Sequence, residues 1–242
     1  MEETTKDKSR STKFLALYNK LDSFMKERLG RDDGFSHTRM INEMARKDIL
    51  FRRHESELKS LARLRNAIVH NRYPDQADPI AEPHEFVVGM YEQIIDKFFN
   101  PPKALSIAIK RKDIYTTTLN ANAIMLMRTM NNNRYTHVPV LENDKMIGVF
   151  SENTVFSYIA EKRIFIEDHA IIENFIDYIP MEKHKGEHFI FIDRDTLVGD
   201  VEEMFRCELE GHRRLAVVYI TENGRQDEEL LGMITPWDIA GI

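Results

Sequence analysis

A chain of 242 residues, 42% hydrophobic and 31% charged with a net charge of −6, holds apolar material for one large or two small cores. It lacks the run of about 20 apolar residues that a membrane span needs, and residues 1–11 are polar and charged where a secretory signal would be apolar. Cys207 is its one cysteine, which excludes an intrachain disulfide framework and a Cys-rich zinc site, so the expectation is a cytoplasmic protein with no membrane partner and no metal.

The charge is unevenly divided. Residues 1–100 hold 18 Lys+Arg against 17 Asp+Glu, and residues 101–242 hold 16 against 23, an asymmetry that predicts two domains with different partners. Residues 1–10 read as a flexible N-terminus. From there Phe14, Leu17, Leu21, Phe24, Met25 and Leu29 recur at helical spacing, with Ser11 or Thr12 as the cap and Gly30 as the stop. A second pattern starts at Ser36 and runs through Met40, Ile41 and Met44. A third runs from Ile49 and Leu50 through Leu58, Leu61, Leu64, Ile68 and Val69, and should end near Asn71 because Pro74 follows. Phe86, Val87, Met90, Tyr91, Ile94, Ile95 and Phe98 make a fourth apolar stripe. Four amphipathic helices with short connections predict a helical bundle over 11–100.

Pro101-Pro102 is the expected boundary. Beyond it, residues 114–118 read as a strand, 121–130 as a helix, 137–141 and 146–150 as strands joined by the Asn143-Asp144 turn, and 154–160 as a helix. Strand 189–192, helix 198–209, strands 215–220 and 230–234 and a helix from Pro236 repeat the pattern. The fold class is therefore multidomain α and α/β: a bundle followed by two β-α-β-β-α repeats, over 101–165 and 166–242.

Two aligned segments carry a resemblance. His137-Val138-Pro139-Val140-Leu141 precedes Ile147-Gly148-Val149-Phe150-Ser151, and Arg214-Leu215-Ala216-Val217-Val218 precedes Leu231-Gly232-Met233-Ile234-Thr235-Pro236-Trp237-Asp238-Ile239. This half resembles the tandem cystathionine β-synthase-type (CBS) domain pair, which implies an adenosine-containing ligand, such as AMP, ATP or a related adenosyl compound, in the cleft between repeats. Thr235 ends a strand and Asp238 stands in the first turn of the next helix, so a hydroxyl and a carboxylate can face one ribose. Helix N-termini attract phosphates, and His212, Arg213 and Arg214 could complete the pocket. The first copy reads Ser151-Glu152-Asn153-Thr154, with Thr where the ribose carboxylate would stand, so one competent site is expected. The plainer reading is that Asp238 and Thr235 only cap a helix. Ile242 lies a few residues after Asp238, so the last helix is expected to be short, its apolar face open to another subunit.

In the third helix, Leu64-Arg65-Asn66-Ala67-Ile68-Val69-His70 is similar to the HEPN family signature, Arg with four to six residues before His. That resemblance implies a metal-independent ribonuclease whose site is assembled across a homodimer. His can move protons near neutrality, and the Arg fork can hold two phosphate oxygens. Asn66 and His70 share a helix face, whereas Arg65 and His70 stand about 140° apart; pairing His70 of one chain with Arg65 of another would join them. Residues 46–72 carry eight Lys+Arg against three Asp+Glu, a patch suited to an RNA backbone. One branch of the family has Tyr two residues after the His, where this chain has Arg72. Glu182, His184 and His188 read as a solvated linker rather than a metal site, since Gly186 interrupts them.

Two functions are thus open. One is a nucleotide-regulated HEPN endoribonuclease using Arg65, Asn66 and His70, with Thr235, Asp238, Arg213, Arg214 and His212 at the nucleotide. The other is a non-enzymatic adenine-nucleotide sensor whose bundle dimerises or docks a partner.

Overall fold

The computed structural model describes residues 9–31, 34–70, 81–207, 209–210 and 213–241. Two compact units divide at Pro101 and Pro102. The first contains α1 (Arg10–Leu29), α2 (His37–Lys47), α3 (Ile49–Arg53), α4 (Glu55–His70) and α5 (Glu85–Phe99). Helix α1 is capped two residues before the expected Ser11: Ser9 Oγ accepts from the Thr12 amide at 3.2 Å, while Ser11 donates its hydroxyl to the Ala81 carbonyl at 3.0 Å. Gly30 ends the helix at φ +60°, the left-handed geometry that glycine adopts without steric cost.

The expected third helix is two. Asp48 Oδ1 accepts from the Leu50 amide at 2.9 Å and starts α3, and the backbone turns at His54 before α4 begins. The six residues 52–57 between Phe51 and Leu58 are all polar, so the core does not hold that stretch straight. Phe51 is fully buried and stacks on Phe98 of α5 at 4.1 Å between ring centroids. Around it Phe14, Leu21, Met25, Met40, Ile41 and Tyr91 close the core. Phe86, expected in the α5 stripe, is exposed on the first turn of the helix.

The second unit begins with α6 (Ala104–Ile107) and β1 (Ile109–Lys110). Residues 114–118 form no strand. A turn of 3-10 helix over Arg111–Asp113 precedes them and the Ala121 amide turns back to the Thr118 carbonyl, so only Thr117 reaches a neighbour, exchanging backbone hydrogen bonds with Pro139 and Leu141. Then come α7 (Ala123–Asn133), β2 (His137–Glu142), β3 (Lys145–Ser151) and α8 (Glu152–Lys162). Strands β2 and β3 pair antiparallel across Asn143 and Asp144, at φ +49° and +60°, as a two-residue hairpin turn requires.

The second repeat supplies β4 (Glu187–Ile192), α9 (Val198–Cys207), β5 (Leu209–Glu210), β6 (Arg213–Ile220), β7 (Gly232–Ile234) and α10 (Pro236–Ala240). Its sheet runs β1-β7-β6-β4, with β5 beside β6. The first strand of the unit therefore pairs with the last, Ile109 opposite Met233. Gly148 and Gly232 hold corresponding places in the repeats, and both admit backbone. A Cβ on Gly148 would meet the Ile179 carbonyl oxygen at 2.3 Å, and one on Gly232 would meet the Ile109 oxygen at 3.1 Å. No helix among the described residues is long and apolar enough to cross a membrane.

Candidate functional site

The hydroxyl-carboxylate pair near the end of the chain is formed. Thr235 leaves β7 and caps α10, and its amide and Oγ1 both donate to Asp238 Oδ2 at 2.7 Å. One carboxylate oxygen carries the cap, which leaves Oδ1 for another donor. Both residues line a cleft of about 660 Å³ in the second unit, a volume within the range of small-molecule sites. Arg214 lines the same cleft and Arg213 does not; His212 lies outside the described residues. Arg134, Tyr135, Thr136 and Tyr115 also line it, from a helix end and loops of the first repeat that carry no motif, as do His137 and Trp237, which stand within the aligned segments without being assigned to the site. Arg134 caps α7 in the left-handed region at φ +60°. Both Arg134 and Arg214 are exposed, and neither forms an ion pair among the described residues.

At the inner wall lies a network that the sequence concealed. Glu187, 1% exposed, receives Ser151 Oγ at 2.8 Å on Oε1, His184 Nδ1 at 2.8 Å on the same oxygen, and His137 Nε2 at 3.0 Å on Oε2. Burial raises the Glu187 carboxyl, but the bonds from His137, His184 and Ser151 outweigh it and hold the group well below the usual carboxylate range. An ionised carboxylate only accepts, so each imidazole donates to it. That fixes His184 with its proton on Nδ1, and His184 Nε2 is buried without a partner, a position better suited to a bare lone pair than to an unsatisfied N–H. His137 Nδ1 in turn lies 2.8 Å from Thr136 Oγ1.

The solvated linker expected around Glu182, His184 and His188 is corrected by this arrangement. Glu182 is exposed, but His184 is 4% exposed and His188 is buried as well, because β4 starts at Glu187 and draws the segment against β6, with Glu187 opposite Arg214 and His188 opposite Leu215. Among the described residues no group of three His, Cys, Asp or Glu side chains is placed to hold a metal ion.

The two repeats differ at one equivalent point. Ser151 caps α8 as Thr235 caps α10: its Oγ accepts from the Thr154 amide at 3.3 Å, and its own amide donates to Thr154 Oγ1 at 3.0 Å. In the second repeat the cap hydroxyl meets the carboxylate of its own helix, Asp238. In the first, where Thr154 replaces that carboxylate, the cap hydroxyl meets Glu187 from the other repeat. Ser151 and Thr154 are both fully enclosed, and the first repeat carries no carboxylate at the position of Asp238.

In the helical unit, Arg65 is half-buried on α4 and Asn66 is exposed. The Arg65 guanidinium lies over the Tyr18 ring at 5.1 Å, and its Nη1 donates to Asn66 Oδ1 at 3.4 Å. Tyr18 stacks on His37 at 4.0 Å, and His37 Nδ1 meets Asp22 Oδ1 at 2.7 Å. Burial lowers the His37 pKa more than Asp22 raises it. His70 ends α4, and its side chain lies outside the described residues.

Residues 106–161 and 181–242 match the family model of the CBS domain. Among solved structures, the chain is similar to CBSX2 in complex with AMP (10% identity over 58% of this chain and 94% of that one, TM-score 0.41). It is also similar to CbpB in complex with c-di-AMP (16%, 62% and 91%, 0.44) and to a hemolysin-like CBS-domain protein of Oenococcus oeni PSU (18%, 60% and 91%, 0.40). No curated protein matches the chain.

Proposed function

Given that residues 106–161 and 181–242 form a tandem pair of CBS domains, we propose that this chain is a regulatory sensor that binds one adenosine-containing nucleotide per chain in the cleft between the repeats. The observation that carries the reading is the meeting of Thr235 and Asp238 with Arg214 and Arg134 on one cavity. Asp238 Oδ1 accepts from a ribose hydroxyl, and the two guanidiniums take phosphate oxygens by charge-assisted hydrogen bonds. Arg213 precedes Arg214 on β6 and adds positive charge on that strand, and His212 is the candidate that precedes it in sequence. One nucleotide rather than two is the reading because the first repeat has Thr154 in place of the carboxylate and its cap hydroxyl is engaged by Glu187. Calorimetric titration of the chain with AMP and ATP tests this: saturable binding with a stoichiometry near one supports it, and absence of heat with either removes it.

The helical unit supplies the output. Arg65 beside Asn66, within the basic stretch of residues 46–72, favours RNA as the target, and the resemblance of the motif to HEPN makes the proposed output a metal-independent RNA cleavage in a homodimer, with Arg65 on the phosphate, Asn66 orienting and His70 transferring protons. Nucleotide controls that output to the extent that its affinity differs between two arrangements of the dimer. Incubation with labelled RNA in EDTA, with and without nucleotide, separates this from a bundle that only dimerises or docks a partner: cleavage lost in His70→Ala supports the nuclease, and no cleavage under either condition leaves a non-enzymatic sensor.

A further inference from the structure

Trp237 is the sole tryptophan of the chain and stands 85% exposed on the cleft wall between Thr235 and Asp238. An indole left in water forgoes one of the largest burial gains open to any side chain. Its neighbours explain what it could cover. Thr235 and Asp238 fix the sugar in the reading above, and Trp237 follows Thr235 by two residues on the short α10, so a base attached to that sugar comes within reach of the ring. The same cleft carries two further aromatics, Tyr115 and Tyr135, stacked on each other at 5.7 Å with an interplanar angle of 25°. The cations Arg134 and Arg214 are the groups suited to phosphate, which leaves the aromatic surface to a planar, apolar face.

We infer that Trp237 is the base-contacting residue of this site, stacking its indole on the nucleobase of the bound nucleotide. This inference rests on the nucleotide reading and goes beyond it: it assigns the base to one side chain and requires the ligand to carry an aromatic ring, not phosphate alone. Stacking is tolerant of base identity because each base has a π-face, so Trp237 supplies affinity without choosing adenine over guanine.

Titration of the whole chain with AMP, ATP, GTP and inorganic tripolyphosphate, followed by Trp237 emission and in parallel by calorimetry, tests it. Each nucleotide should change the emission with the midpoint found by calorimetry, and tripolyphosphate should leave it unchanged. Trp237→Ala should weaken AMP binding about tenfold or more, and Trp237→Phe should restore most of it. Calorimetric binding with unchanged emission and equal affinity in Trp237→Ala overturns the inference while the nucleotide reading stands. An emission change that follows protein concentration alone also overturns it, since a second copy of the chain then covers the indole. No heat and no emission change with any nucleotide defeats both.

Discussion

His137 Nε2 lies 3.0 Å from Glu187 Oε2, and the two residues come from different repeats, so the wall of the cleft is an ion-pair-like bond between the halves of the unit. Removing the carboxylate strands Ser151, His184 and His137 together. Glu187→Ala should destabilise the second unit by about 3–5 kcal/mol, and Glu187→Gln by less, because an amide still accepts through its oxygen. Urea unfolding of the two variants beside the parent measures both.

The same carboxyl gives a pH dependence with a definite sign. Its pKa in the folded chain is depressed below the ordinary value of 4.5, so the unfolded chain binds its proton first as the pH falls. The stability that Glu187 contributes is complete above about pH 4.5 and is lost progressively below it. Unfolding midpoints from pH 7 to pH 3 should fall more steeply in the parent than in Glu187→Gln.

Asp238 and Arg214 are expected to divide the ligand between them. Asp238→Ala should weaken adenosine, AMP and ATP alike, by about tenfold or more, as the loss of a charged acceptor implies, and should cost the fold only about 1 kcal/mol as a lost cap. Arg214→Ala should leave adenosine nearly unaffected and weaken ATP more than AMP. Parallel calorimetry with the three ligands distinguishes a ribose contact from a phosphate contact.

In the helical unit, Arg65→Ala removes a guanidinium stacked over Tyr18 and should lower the melting temperature as well as any RNA cleavage, the stability loss being on the order of 1 kcal/mol. Asn66→Ala, at an exposed position, should leave stability within about 0.5 kcal/mol. A cleavage defect in Asn66→Ala without a stability change would place Asn66 at the substrate.

Gly148→Ala should destabilise more than Gly232→Ala. The first places a methyl 2.3 Å from a backbone oxygen and the second 3.1 Å, and only the second contact is relieved by a shift of a few tenths of an ångström. A loss of about 2–3 kcal/mol is expected for Gly148→Ala, read by thermal unfolding.

The parts of this structure that sequence foretold are those whose cause is local. The spacing of Phe14, Leu21 and Met25, the stop at Gly30 and the Asn143-Asp144 turn each act within a few residues, and all are found where the pattern puts them. The meeting of Thr235 with Asp238 is legible for the same reason, three positions apart across a strand end and a helix start. Glu187 was not, since its partners Ser151 and His137 are 36 and 50 positions away and periodicity records nothing at that distance. Residues 114–118 have strand composition but are held by turns on both sides, and His54 ends α3 in a run with no apolar residue to mark the break.

The pairing of Ile109 with Met233 has a consequence for how the chain acquires its structure. These residues are about 120 positions apart, so β1 has no sheet to join until β7 has formed beside β6, and the closure entropy of that loop precedes any reward from the pairing. The sheet of the second repeat therefore carries a long-range closure, and its edge at β7 is covered by a strand made about 120 positions earlier in the chain.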